Sequence, residues 1–427
     1  MRTARLFLLG LILVLTACQR TPDVPVNQAK TAVIFLHYFT DSLSGGISDA
    51  ARTFNQQNAR YDLKIVSLDH EAFKTSIQGI LKSASPPDLY SNWAGARTAA
   101  IVNDLEPLDD IWDKAKLDEV FAPSLVRAAS QYQGKKYLLP LTQHDVVFFY
   151  NKKLFESLNL KPPKTWAEFL SVCATIKARG ITPIALGAKD RWPAQFWFDY
   201  LLLRTASYEF REQLMAGTAS YDDPRVKAVF KRWSELLERG YFNDRANERS
   251  WDKDANEMVF KGTAAMTLMG TWNIGYFSNE AHRWVDGKDF DFFSFPSIDP
   301  TVPTVALGPI DGVVVPRNAT NKEGAKQALV YLAGVEVQQA FSRGSGALAP
   351  NSQVPRNFYN GIQQRVSDEV RNSTYFAFNY DLATDPAVAE LGLNAFSEFL
   401  AFPKSHPDIL TKLARDAKAR FQALAKN

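Results

Sequence analysis

Apolar residues along this chain alternate between two spacings, and the changes of spacing mark its elements. Residues 31–39 form a strand-like apolar run and 40–46 a polar, glycine-containing loop. Ile47, Ala50, Ala51 and Phe54 then recur at the helical period through 47–57. Residues 61–68 read as a second strand. Strand, helix and strand at this spacing predict a parallel pair joined by a right-handed crossover. Ligands in such sheets sit beyond the carboxyl ends of the strands. Thr40 and Asp41, in the loop after the first strand, are therefore site candidates, with capping of the following turn as their competing role.

The alternation continues. A helix is predicted over 69–82, with Phe73, Ile77, Ile80 and Leu81 on one face, and then a short strand over 88–92 that ends at Trp93. Residues 146–150, 184–186, 264–269, 291–295 and 312–315 read as further strands. Thr165 with Glu168, and Thr320 with Glu323, have capping-box spacing and predict helix starts. Asp223-Pro224 predicts another helix, running to about Gly240. The chain after 354 reads as mainly helical. The pattern is α/β throughout, and roughly four hundred residues exceed one comfortable core, so two domains are expected.

The first residues read as an address. Arg2 and Arg5 flank the start of an unbroken apolar run, 6–15, too short to span a bilayer and of signal-peptide length. The run closes on Leu15-Thr16-Ala17-Cys18, which resembles the bacterial lipobox. The expectation is a lipoprotein signal peptide at 1–17, lipidation of Cys18, and a polar tether over 18–30. Several acyl chains give stable anchoring where one would be marginal. The protein is thus expected outside the cytoplasm, periplasmic or at the cell surface, and held to a membrane. One cysteine remains after cleavage, Cys173, with Phe169 and Ile176 at helical spacing; it reads as a buried core thiol.

Charge and motif content narrow the function. Net charge is +3 with both signs interspersed, which argues against a nucleic-acid partner. No P-loop, dinucleotide fingerprint or nucleophile elbow occurs, and the five histidines lack zinc spacing, so neither cofactor nor metal is expected. Two carboxylates distant in sequence can still meet as a glycosidase pair, which keeps an extracellular carbohydrate-active enzyme as the alternative class. What the strand ends and loops do carry is aromatic side chains beside acids, amides and arginines. A sugar offers apolar C–H faces, which flat rings cover, and hydroxyls, which Asp, Asn, Gln, Arg and His bond in fixed geometry.

Several segments carry a family likeness. They are Pro87-Asp88-Leu89; Gly134-Lys135-Lys136-Tyr137-Leu138-Leu139-Pro140; Tyr150-Asn151-Lys152-Lys153-Leu154-Phe155; Pro163-Lys164-Thr165-Trp166-Ala167-Glu168-Phe169; Ala265-Met266 with Gly270-Thr271-Trp272; and Asp311-Gly312-Val313-Val314-Val315-Pro316 followed by Asn321-Lys322-Glu323. In this order they resemble extracellular solute-binding proteins of ABC sugar importers, the family 1 group with maltose- and glucose-type receptors. The likeness covers almost all of the mature chain. It implies a two-lobed periplasmic-binding-protein fold whose discontinuous lobes, 31–145 plus 304–350 and 146–303 plus 351–427, close about a hinge. Chain crossings are implied near 143–147, near 296–309 and within 346–356. It also implies a monomeric, non-catalytic receptor that binds a mono- or short oligosaccharide and delivers it to an ABC permease; the same fold binding a non-sugar solute is the nearer alternative.

The resemblance implies site residues as well. Trp272 stands where such receptors place a stacking aromatic. Trp93 ends a strand, and Arg97 follows by four as in maltose-type receptors, although the acid expected between them is Ala96 here. Gln143, His144 and Asp145 occupy a hinge position that supplies polar contacts in glucose-type relatives. From their placement after a strand, Trp192 is a candidate platform and Gln195 a candidate polar contact; Asp311, which opens the strand 312–315, is a candidate hydroxyl acceptor and Gly312 a point of close backbone approach, with Asn379 and Asp381 ranking behind them. Phe73, Trp112, Trp166, Trp197 and Trp233 are assigned to packing.

Overall fold

The structure, a computed structural model, describes residues 29–40, 43–343 and 345–426. The signal, tether and Cys18 predictions, and Asp41, lie outside the described residues. In chain order the strands are β1 Thr31–His37, β2 Tyr61–Ser67, β3 Leu89–Trp93, β4 Gln131–Tyr132, β5 Lys135–Lys136, β6 Leu139–Gln143 and β7 Val146–Asn151. They continue with β8 Thr182–Ala185, β9 Ala264–Gly270, β10 Phe290–Phe293, β11 Val305–Leu307, β12 Ile310–Val314 and β13 Tyr375–Ala377. The predicted βαβ unit is present: β1 and β2 pair in parallel from Thr31 opposite Tyr61 to His37 opposite Ser67, with helix Ser44–Gln57 between them. That helix begins three residues before Ile47, inside the expected loop.

Two sheets organise the chain. The first has order β2-β1-β3-β12-β6 and the second β10-β7-β9-β8. In the first, β1 runs parallel to β2 and β3, while β12 is antiparallel to β3 and β6. In the second, β7 is antiparallel to β9 and β10, and β8 is parallel to β9. Each sheet has its own buried apolar cluster. One draws on Val33 to Leu141, Ile310 to Phe341, and Leu382. The other draws on Val146 to Leu307 and Leu348 to Ala417. This is the two-lobed α/β arrangement. Cys173 is buried in the second cluster, as are Trp197 and Trp233, while Trp112 and Phe73 are buried in the first.

Helix starts follow local chemistry. Thr165 accepts from the Glu168 N–H and the Glu168 carboxylate accepts from the Thr165 N–H, the reciprocal box predicted. Asp223 caps helix Pro224–Glu238 by accepting from the Arg225 N–H. The second predicted box is corrected. Asn321, not Thr320, caps helix Lys322–Leu332, because the Asn321 side-chain oxygen Oδ1 accepts from the Gly324 N–H at 3.0 Å while the Thr320 hydroxyl donates to Asp88.

The chain passes between the sheets at three adjoining points. Gln143 and Leu348 exchange backbone hydrogen bonds of 2.9 and 2.8 Å, and the His144 N–H donates to the Pro309 carbonyl at 3.1 Å. The Asp145 carboxylate accepts from the Leu307 N–H at 3.1 Å. No helix among the described residues is long and apolar enough to cross a membrane.

Candidate functional site

The carboxyl ends of β1 and β3 open on one sheet edge, and antiparallel β12 brings its amino end to the same place, with Asp311 opposite both Trp93 and Thr142. Tyr38, the first residue after β1, stacks on Trp93 with ring centroids 4.1 Å apart and planes 8° from parallel. Its hydroxyl donates to Asp311 Oδ1 at 2.8 Å, and the Thr142 hydroxyl donates to Oδ2 at 2.7 Å. Burial pushes the Asp311 carboxyl up to about 6, against the pull of those two hydrogen bonds. His70, at the start of helix His70–Leu81, meets Trp93 edge-on at 5.1 Å. The Arg97 guanidinium lies 5.5 Å from the centre of the Trp93 ring.

The second sheet presents a facing set. Trp272 follows β9 and opens helix Trp272–Ser278. Its ring lies across Gly270, where any Cβ would collide with the indole, so only glycine admits this placement. Trp192 opens helix Trp192–Leu203 and sits 5.9 Å from Trp272; Trp251 lies 6.0 Å from Trp192 and 6.4 Å from Trp272. His144 meets Trp272 edge-on at 5.3 Å, and its Nδ1 is 2.9 Å from the Thr271 hydroxyl. Burial pulls the His144 imidazole down to about 3, so it is neutral near pH 7. Its 3.9 Å approach to Asp311 is accordingly a contact and not an ion pair.

Two contacts join the faces. His70 reaches Trp192 at 6.3 Å, and His144 reaches Asp311. The side chains therefore form a closed circuit: Trp93, His70, Trp192, Trp272, His144, Asp311 and Tyr38, which returns to Trp93. Beside it, Arg97 Nη2 stands 3.4 Å from Asp381 Oδ2. The acid missing at Ala96 is supplied from 284 residues away. Asp381 is itself fixed, its N–H donating to Gln195 Oε1 at 2.8 Å and its Oδ1 accepting from Asn379 Nδ2 at 2.9 Å. Three buried polar atoms here have no partner within the protein: Trp272 Nε1, Arg97 Nε and Asn379 Oδ1. Two are donors and one an acceptor. Leaving such an atom unbonded costs about 1–3 kcal/mol, so all three favour a polar ligand.

Of the residues singled out from sequence, Trp93, Arg97, His144, Trp192, Trp272 and Asp311 converge here. Four others support from behind. Gln143 pairs through its backbone with Leu348, and Asp145 turns its carboxylate into the crossing. Gln195 holds Asp381. Gly312 sits at a break in register where a Cβ would strike Leu138 and the Leu139 backbone, so the close approach it permits is to its own sheet. Thr40 accepts from the Leu43 N–H through its carbonyl at 3.1 Å. Sequence reasoning missed Tyr38, His70, Thr142 and Trp251. Tyr38 follows a parallel strand, but the apolar run 31–39 that contains it masks that position in the sequence.

Asp145 carries a pH prediction. Burial, with the Glu369 charge second, pushes its carboxyl from 3.8 up to about 8. The folded state therefore prefers the protonated acid. The stability this lends is full below the unfolded value of 3.8 and is lost as pH rises through about 8. Asp145→Asn keeps an acceptor for Leu307 and removes the titration. Unfolding measured by urea is expected to show the variant more stable than the parent by a few kcal/mol at about pH 9, with the difference gone near pH 4. Equal stability at both values would contradict this.

Residues 38–339 match the model of the bacterial extracellular solute-binding protein family, and the chain belongs to that family. It is 30% identical over 305 residues to an uncharacterized ABC transporter extracellular-binding protein of Pyrococcus horikoshii, a match covering 70% of this chain and 66% of that relative. It is 25% identical over 321 residues to a Mesorhizobium japonicum protein named "Probable sugar-binding periplasmic protein", covering 72% of this chain and 73% of the relative. Among solved structures it superposes on the bacterial solute receptor AcbH, described as preferring β-D-galactopyranose, with a TM-score of 0.86 and 26% identity over 92% of this chain and 100% of AcbH.

Proposed function

We propose that this chain captures a carbohydrate, a mono- or short oligosaccharide, outside the cytoplasm and delivers it to the permease of an ABC importer. The circuit carries the reading. It sets indoles on both faces of a cleft beside hydrogen-bonding groups that the protein itself leaves unsatisfied. The contacts we assign to the sugar are Trp93, Arg97, Trp192, Trp272 and Asp311. The AcbH likeness and the sugar-binding relative support the same class.

Charge favours a neutral sugar over a phosphorylated solute. Arg97 is paired with Asp381, Lys74 with Glu71 at 3.1 Å, and Arg191 with Glu390 at 2.8 Å, so these three cations near the circuit already have counter-ions. The two buried clusters support lobes close to 31–145 plus 304–350 and 146–303 plus 351–427. Val305, Leu307 and Leu348 pack with the second, which favours borders near Gly308 and Ala347. The lipobox at Cys18 supports a membrane-anchored form.

Calorimetry with a panel of neutral sugars, a polyol phosphate and chromogenic glycosides tests the proposal. The expected result is saturable binding of at least one neutral sugar, no heat with the phosphate, and no glycoside turnover. Turnover, or heat with the phosphate alone, would overturn it.

A further inference from the structure

We infer that the cleft admits a single sugar ring and that His70 is the side chain that sets this limit. The inference rests on the carbohydrate reading above and concerns the length of the ligand. Trp93 is flanked on two sides by contacts that bridge the lobes. On one side His70, 5.1 Å from Trp93, reaches across to Trp192 at 6.3 Å. On the other, Arg97, 5.5 Å from the same ring, reaches Asp381 at 3.4 Å. An oligosaccharide must leave its cleft at one end at least, and a bridging contact stands on each of these two sides of the indole.

The two ends differ in kind. Arg97 and its neighbour Asn379 each bear an unpartnered polar atom, so that end is built to bond hydroxyls. The His70 end is a wall. The imidazole is held by Glu71, whose carboxylate lies 2.9 Å from Nδ1 and also pairs with Lys74. It packs edge-on against Tyr38 at 5.6 Å. Its side chain keeps 36% exposure, so it borders open space and does not fill a core. Beyond it Glu71 stands close to Asp190 of the other lobe: burial, and next the Glu71 charge, raise the Asp190 carboxyl above its ordinary value.

The helix start does not depend on the His70 side chain. Asp69 caps the helix by accepting from the Glu71 and Ala72 N–H groups, and that cap does not involve the His70 side chain. The test is calorimetry of the parent, His70→Ala and His70→Phe with matched mono-, di- and trisaccharides. The parent is expected to bind a monosaccharide at least 100-fold more tightly than the disaccharide built from it. His70→Ala is expected to raise the ratio of disaccharide to monosaccharide affinity at least tenfold; His70→Phe, which keeps the wall, should retain the parent's ratio. A parent that binds the disaccharide as tightly as the monosaccharide, or an alanine variant with an unchanged ratio, would overturn the inference while leaving the carbohydrate reading intact. Absence of heat with every sugar would overturn both.

Discussion

Replacing Trp272 by alanine is expected to weaken sugar binding by about 2–4 kcal/mol, roughly 30- to 1,000-fold, the range of a central aromatic anchor. Three neighbours fix the indole. It lies over Gly270, with Trp192 at 5.9 Å and the neutral His144 imidazole edge-on at 5.3 Å. An anchor so fixed loses little rotamer freedom when a ligand stacks on it. Its Nε1–H, buried and without a partner, adds a hydrogen bond worth about 1 kcal/mol. Trp272→Phe keeps a stacking ring while removing that donor and the pyrrole part of the indole, so it should lose less than the alanine variant. Calorimetry separates the two variants, and thermal unfolding beside it shows that the fold is retained. Equal affinities for alanine and tryptophan would remove Trp272 from the site.

The second large effect is on stability. Arg211 and Asp199 are both fully buried, the guanidinium Nε and Nη2 donating to Asp199 Oδ1 at 3.2 and 2.8 Å. Asp199 Oδ2 also accepts from the Tyr380 N–H at 2.7 Å, and Arg211 Nη2 donates to the Phe378 carbonyl at 2.5 Å. The pair thus pins the segment that carries Asn379 and Asp381 to helices Trp192–Leu203 and Tyr208–Met215. Removing one partner leaves an uncompensated buried charge, and Arg211→Met is expected to cost about 3–5 kcal/mol. Arg211→Met combined with Asp199→Leu should recover much of that, because no charge is then stranded. Sugar affinity in the single variant should fall too, since the Arg97 partner loses its support. Urea unfolding of the two variants checks the first claim and calorimetry the second. A single variant within 1 kcal/mol of the parent would contradict this account.

Much of this arrangement was legible in the sequence because it follows from strand ends. Trp93, Trp272 and Asp311 each adjoin an apolar run; the rule that ligands lie beyond the carboxyl ends of strands places the two indoles, while Asp311 reaches the same edge because β12 runs antiparallel to β3. Tyr38 was hidden by its neighbours. It falls inside the apolar run 31–39, and only the end of β1 at His37 shows that it belongs to the cleft. Helix Trp192–Leu203 was hidden differently: every residue in it is buried, so it has no polar face and no amphipathic signal. The Arg97–Asp381 pair could not be read at all, because nothing local links positions 284 residues apart. Asp145 and Gln195 had the right chemistry for sugar hydroxyls, but the chain crossing and the Asp381 backbone make use of it. Local pattern places side chains at the mouth of a cleft. Which of them remain available for a ligand depends on what the rest of the chain takes.

A crystal structure of the protein with the sugar that calorimetry identifies tests the central claim most directly. One sugar ring is expected inside the circuit, with Trp272 against one face of the ring and hydroxyls bonded to Arg97, Asp311 and the Trp272 indole N–H. A sugar bound elsewhere on the protein, with the circuit unchanged around its own side chains, would contradict it.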